Sequence, residues 1–314
     1  MIAWVIGGNG LLGSGLRLAL LKTETTLFEQ TKRFHWDNES ELLLQMGSEV
    51  KAFAEAVNLE SCWEIYWAAG VGTMGSPEEK LSLETRILSK LLDFIQAEPR
   101  LVSINGNFAF ASTAGAIYAG ASDDIITENT PVAPTTAYAH EKLKQERLIS
   151  AFAMSNISVT ALIARISTLY GTGQAKGKQQ GLLVEIARRI LSNQPIQIFV
   201  PFDTIRDYIT ANDAAALIIN ALRGLKNKSG VFTKIIASEQ PTTIAEIISI
   251  FKRITRRNPR IITSANKLST LYSRRIQFHS IEVPVDEKIV KTSLLVGIAQ
   301  IVAAERVSLA QNRV

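Results

Sequence analysis

Cysteine occurs once in the 314 residues, as Cys62, and histidine three times. A single thiol cannot build a disulfide framework, so a reducing cytoplasm is the expected compartment. Cys62 stands between Ser61 and Trp63 ahead of an apolar run, which suits a core position rather than a nucleophile. His35, His140 and His279 show no ligand spacing, so a metal mechanism is not expected. No nucleophile elbow surrounds any serine. No apolar run reaches the about 18 uninterrupted residues of a membrane span. The N-terminus enters an apolar run at once, leaving no room for a signal peptide. Acidic residues are missing from Ile247 to Ile281, where Lys252, Arg253, Arg256, Arg257, Arg260, Lys267, Arg274 and Arg275 all fall. For most of these cations we expect a solvated helix face and loop, with one or two reaching an anionic substrate. No nucleic-acid module is present, so no nucleic-acid partner is expected.

What is present is ordinary in bulk, at 46% hydrophobic and 20% charged residues, and informative in order. Candidate strands run over 2–6, 25–28, 33–36, 64–68, 101–112 and 159–166. Helical patterns lie between them over 11–21, 39–56, 77–97 and 137–154. Such alternation predicts an α/β fold with a Rossmann-like, doubly wound parallel sheet. Beyond Tyr170 come a polar glycine-rich loop (171–178), a helix (181–192), an extended piece (196–200) and a helix capped by Asn212. A last strand is expected over 231–237 and a helix capped by Thr242 or Thr243 after it. We therefore expect a dinucleotide-binding domain over 1–170, completed by about 206–237. A smaller C-terminal substrate-binding lobe would take 171–205 and 238–314.

The first strand feeds Gly7-Gly8-Asn9-Gly10-Leu11-Leu12-Gly13. Glycine at these intervals permits a tight turn and close approach of a pyrophosphate to the backbone. The helix beginning at Leu11 would aim its amides at the phosphates. Cofactor choice depends on the end of the second strand, where an acid would bind a ribose hydroxyl and a cation a 2′-phosphate. Glu29 offers the first, Lys32 and Arg33 the second, so NAD and NADP both stay open with a slight lean to NADP.

Tyr138 and Lys142 are four residues apart and share one helix face. A free phenol titrates near about 10, and a neighbouring ammonium would lower that value. Thr113 or Ser112, at the end of a strand, would hold the substrate oxygen while Tyr138 moves the proton.

These motifs together resemble the extended short-chain dehydrogenase/reductase family, in its NAD-dependent epimerase/dehydratase group acting on nucleotide sugars. The resemblance spans about residues 1–251. It rests on GGNGLLG, YWAAGVG (66–72), STAGAIYAG (112–120), TENTPVAPTTAYAHEK (127–142), ARISTLYGTGQ (164–174) and RDYITANDAA (206–215). It implies that Ala68, Ala69 and Gly70 lie against the cofactor, that Asp37 approaches the adenine, and that Lys142 binds the nicotinamide ribose and tunes Tyr138. Thr168 and Arg206 would face the substrate, Arg206 toward its diphosphate. It also implies a homodimer built on the helices over 77–97 and 137–154. Ala114 and Gly115 replace the Asp-Glu pair of sugar dehydratases, which argues against 4,6-dehydration. One extra residue between Thr113 and Tyr118 leaves both Ser112 and Thr113 open as the hydroxyl.

The expected activity is NAD(P)-dependent oxidoreduction or epimerisation at a hydroxyl or keto carbon of a nucleotide-activated sugar. Alternatives are an NADP-dependent reductase of a small carbonyl compound and a non-catalytic cofactor-binding regulatory protein.

Overall fold

The apolar runs line up side by side in the computed structural model of the chain, which describes residues 1–57, 62–70, 72–172, 181–226, 228–264, 275–284 and 289–311. In chain order come β1 (Ile2–Ile6), α1 (Leu11–Leu20), β2 (Thr26–Leu27), α2 (Glu39–Ala56), β3 (Trp63–Trp67), α3 (Glu78–Ala97), α4 (Pro99–Ser103) and β4 (Gly106–Thr113). Next are a one-turn α5 (Ala114–Ile117), β5 (Ile125–Ile126), α6 (Ala137–Ser155), β6 (Val159–Ile166) and β7 (Thr168–Tyr170). Then follow α7 (Leu182–Leu191), β8 (Ile196–Ile198), β9 (Ile205–Thr210), α8 (Ala211–Gly224) and β10 (Gly230–Ile236). The chain ends through β11 (Pro241–Thr243), α9 (Ile244–Thr255), β12 (Ile261–Thr263), β13 (Gln277–Phe278) and α10 (Leu294–Gln311).

Six strands pair in parallel in the order β10-β6-β4-β3-β1-β2. Every residue of β1, β3 and β6 is buried, as a parallel sheet covered on both faces requires. One face packs Trp4, Trp63 and Phe108 against Phe53 of α2, Leu88 of α3 and Phe152 of α6. The other packs Tyr66 and Leu162 against Leu12 and Leu16 of α1 and Leu217 and Ile218 of α8. This is the doubly wound α/β sheet expected. Strand order reverses between β1 and β3, since β1 leads outward to β2 and β3 leads the other way to β4. Loops leaving their carboxyl ends diverge there and leave a crevice. Glu64, fully buried in β3, accepts two hydrogen bonds from Arg223 of α8 at 2.9 and 2.8 Å and one from the Tyr66 hydroxyl at 2.9 Å.

A second core lies beyond β6, where Val184, Ile186, Tyr208, Ile247, Phe251, Ile298 and Ile301 meet. Small sheets ordered β11-β9-β7 and β12-β8 border it. Thr243, rather than Thr242, caps α9 in a capping box with Glu246. Helix α10 is long and apolar enough to cross a membrane by length and composition. Its Ile298, Ile301 and Val302 instead enter the core of this lobe, and its Glu305 pairs with Arg188 of α7 at 2.8 Å. Much of the acid-free stretch is structural. Arg257 donates to the Ile190 and Leu191 carbonyls at 3.0 and 3.1 Å, and Arg260 to Asn193 at 3.1 Å. These guanidinium groups sit at the negative end of α7. Lys267, Arg274 and most of the expected 171–178 loop lie outside the described residues.

Three expectations are corrected. Residues 33–36 form no strand: the His35 amide donates to the Gln45 side chain at 3.0 Å, while Phe34 and Trp36 pack edge-on against one another at 6.0 Å. Their alternate spacing reflects an aromatic cluster, with no neighbouring strand to pair. The long run over 101–112 divides into α4, opened by Pro99, and β4. Helix α8 is capped by Thr210, whose hydroxyl accepts from the Asp213 amide at 3.0 Å, so Asn212 lies inside the first turn.

Candidate active site

The glycine turn opens from β1 into the crevice. The Gly10 amide donates to the Gly7 carbonyl at 2.9 Å and closes it. Gly7 has φ of +87°, and a Cβ there would stand 2.6 Å from the Ala69 nitrogen. A Cβ on Gly13 would stand 2.1 Å from the Gly7 oxygen. Neither position tolerates a side chain, and the backbone of the turn at Gly7 lies directly against Ala68 and Ala69 after β3. Asn9 and Gly10 are exposed, Gly8 and Leu11 half-buried, and Leu12 buried below. Gly10 caps α1 with no side-chain hydrogen bond, and the first turn holds no acid. Its amides are therefore available to an anion, and this side-chain-free cradle fits a dinucleotide pyrophosphate.

Glu29 stands two residues past β2. Both of its oxygens are taken by Arg17 of α1, at 2.9 and 2.7 Å. Lys32 and Arg33 are exposed beside it. Asp37 is exposed in the turn before α2, whose cap is Asn38, and no strand leads to it.

The chemistry-bearing side chains converge where β4 ends. Thr113 caps α5, and its hydroxyl lies near enough to the Tyr138 phenol, in the first turn of α6, to influence its titration. Thr136 caps α6 through the Ala139 amide at 3.2 Å and so sets where that turn begins. Lys142, one turn further, is buried, with its ammonium 5.1 Å from the centre of the Phe110 ring. It donates to Gln145 Oε1 at 3.1 Å and to the Ala111 carbonyl at 3.4 Å. Ser112 goes elsewhere. Its hydroxyl donates to Glu146 at 2.6 Å inside a buried network in which Arg165 grips Glu146 at 3.0 and 2.7 Å. Arg165 also donates to the Tyr118 hydroxyl at 2.5 Å.

The electrostatics reverse one expectation. Burial, then the Glu84 carboxylate, push the Tyr138 phenol well above the usual tyrosine value, and the Thr113 hydroxyl pulls only partly back. Lys142 is not among the groups that shift it, and its protons turn toward Gln145 and Ala111. Burial lowers Lys142 itself, against the raising influence of Glu84 and Glu146. Glu84 of α3 is a site residue that sequence reasoning missed. Its carboxylate accepts from the Gly72 amide at 2.7 Å, beneath the loop that carries Gly70. Gln145 and Thr85 were missed too; they join α6 to α3 through a 3.1 Å bond. Glu146 carried a signal, since 138, 142 and 146 form one helical stripe; Glu84 carried none.

Thr168 and Arg206 lie on the small sheet that starts two residues beyond β6. Thr168 is exposed on β7 and Arg206 half-buried on β9. Asp207, a possible partner for Arg206, is buried and accepts from Ser167 at 2.5 Å and from Ser238 at 2.9 and 2.7 Å. Asp213 accepts from Thr292 instead. Cys62 is half-buried just ahead of β3. Among the described residues no three His, Cys, Asp or Glu side chains gather as a metal site.

Comparison with known proteins agrees with this fold. The profile of the NAD dependent epimerase/dehydratase family matches residues 3–232. The dTDP-4-dehydro-6-deoxyglucose reductase of Escherichia coli is 25% identical over 223 residues, which are 67% of this chain and 68% of the reductase. The structure of MoeE5 in complex with UDP-glucuronic acid and NAD superposes with a TM-score of 0.78 at 18% identity, covering 98% of this chain and 100% of that one. RMD from Pseudomonas aeruginosa complexed with NADPH gives a TM-score of 0.78 at 18% identity, over 96% and 98% of the two chains. At that identity the two structures speak for the fold.

Proposed function

Because the chain belongs to the NAD-dependent epimerase/dehydratase family of enzymes, we propose that it exchanges hydride at a hydroxyl or keto carbon of a nucleotide-activated sugar. A bound nicotinamide would supply or take that hydride. The glycine turn and the first amides of α1 hold the pyrophosphate, with Ala68, Ala69 and Gly70 as the opposing wall. Thr113 and Tyr138 bracket the substrate oxygen, and Tyr138 passes the proton. Lys142 lies one turn further along α6, toward the nicotinamide ribose. Thr168 and Arg206 face the sugar diphosphate, where a guanidinium can bind two oxygens at once.

The observation that carries this reading is the Thr113–Tyr138 hydroxyl pair at the carboxyl end of β4. A phenol held protonated by burial is poised to donate, which suits reduction of a keto group. The Escherichia coli relative is named a reductase, in keeping with that direction. An epimerase would use the same residues and retain its cofactor. Incubation with dTDP- and UDP-linked keto sugars and reduced nicotinamide cofactor tests the reading. Loss of nicotinamide absorbance with a nucleotide sugar supports it; turnover of small carbonyl compounds alone overturns the substrate class. Mass spectrometry of the nucleotide that co-purifies separates the two outcomes, since tight retention marks an epimerase. A homodimer through α3 and α6 belongs to the same proposal, and light scattering checks it.

A further inference from the structure

We propose that Arg17, rather than Glu29, reads the 2′ position of the adenosine ribose, so that the crevice takes NADP(H) in preference to NAD(H). The inference rests on the dinucleotide reading above. Arg17 is on α1, and its side chain crosses the glycine turn so closely that a Cβ on Gly8 would lie 2.8 Å from its Cδ. The guanidinium ends on Glu29 in a two-pronged contact of 2.9 and 2.7 Å.

That contact has two consequences at the ribose. Glu29 is the acid placed to accept from a ribose diol, and both of its oxygens already hold guanidinium protons. A diol would have to share those oxygens with the guanidinium. A 2′-phosphate, by contrast, can displace Glu29 from the planar fork, to which it offers an anion of matching geometry and higher charge. The pair is also open to exchange. Its side chains are 33% and 62% exposed, and exposed ion pairs hold weakly.

The surrounding loop is built rather than slack. The Thr31 amide and hydroxyl both bind Glu49, a buried acid of α2, and Gln30 donates to the Lys32 carbonyl at 2.8 Å. These bonds hold residues 30–32 beside the pair, with Lys32 and Arg33 exposed next to it. Arg17, Lys32 and Arg33 against the two engaged carboxylates of Glu29 and Glu49 leave the loop net positive, which favours the more anionic cofactor.

Calorimetric titration of the full chain with NADPH and with NADH tests this without any substrate. The wild type should bind NADPH about tenfold or more tightly than NADH, and Arg17→Met should erase most of that preference by weakening NADPH alone. Arg17→Lys should retain part of it, since the charge stays and the fork is lost. Glu29→Gln should leave NADPH binding equal or tighter. The preference should shrink as ionic strength rises. A ratio unchanged in Arg17→Met overturns the assignment. So does a wild type that prefers NADH and loses about tenfold of that affinity in Glu29→Gln, because Glu29 would then be the diol acceptor. Because a ratio of affinities cancels a general loss of folded protein, a destabilised variant still reports. Failure of the wild type to bind either nucleotide would remove the dinucleotide reading itself, a result distinct from a misplaced 2′ contact.

Discussion

Two arginine–glutamate pairs stand at opposite ends of the cofactor crevice, each gripped through two nitrogens, and they differ in burial. Arg165 and Glu146 have side chains 11% and 6% exposed, beneath the helix that carries Tyr138 and Lys142. Arg17 and Glu29 are far more exposed, beside the glycine turn. The same chemistry therefore does two jobs. Out of water, the pair and its Ser112 and Tyr118 partners form one fully bonded network that holds α6 on β4 and β6. At the surface the pair is weak enough to change partner, which is what recognition requires. A similar contrast separates the glycine turn, shaped by backbone without side chains, from the end of β4, shaped by packed side chains.

The largest expected effect falls on the proton-transfer end. Tyr138→Phe should lower turnover by about 10²–10⁴-fold while leaving the calorimetric affinity for the cofactor unchanged. A variant of undiminished rate would remove Tyr138 from the chemistry. Next comes the buried pair. Glu146→Ala strands the Arg165 guanidinium and should cost about 3–5 kcal/mol in urea unfolding. Equal losses from Glu146→Ala and Glu29→Ala would break the comparison.

A third effect is read through pH. Burial holds Tyr66, Tyr118, Tyr138, Tyr170 and Tyr208 above the ordinary phenol value, with Tyr208 pushed up to about 12. The folded chain keeps these protons while the unfolded chain releases them near about pH 10. Their contribution to stability is complete below that pH and is lost progressively as pH climbs through the folded values. Denaturant midpoints measured on either side of pH 10 should fall accordingly, and ultraviolet titration should show little phenolate before unfolding. A smaller effect concerns the α9 capping box, where Thr243→Ala should cost about 1 kcal/mol. Smallest is Glu29→Ala, expected to change unfolding by about 0–1 kcal/mol.

Much of this was legible along the chain because it is local. The glycine spacing predicts the turn, since only residues without a side chain fit where Gly7 meets Ala69 and Gly13 meets Gly7. The four-residue step from Tyr138 to Lys142 places both on one face of α6. The alternation of strand and helix patterns carried the sheet, and the helix bounds over 39–56 match α2 to the residue. What failed depends on distant partners. Residues 33–36 alternate like a strand yet find no strand beside them. The upward shift of Tyr138 comes first from burial and then from Glu84, which α3 brings from 54 positions away along the chain. Ser112 and Thr113 are neighbours in sequence, and only packing sends one to Glu146 and the other to Tyr138.

Sequence alone thus determined the alternating elements, the side-chain-free turn and the helical stripe, because each follows from residue size, spacing and backbone period. Tertiary structure alone decided which hydroxyl meets the phenol, which way the lysine turns and which acid the arginine holds. Those outcomes depend on desolvation and on through-space charge between segments far apart in the chain, and neither is written in local order.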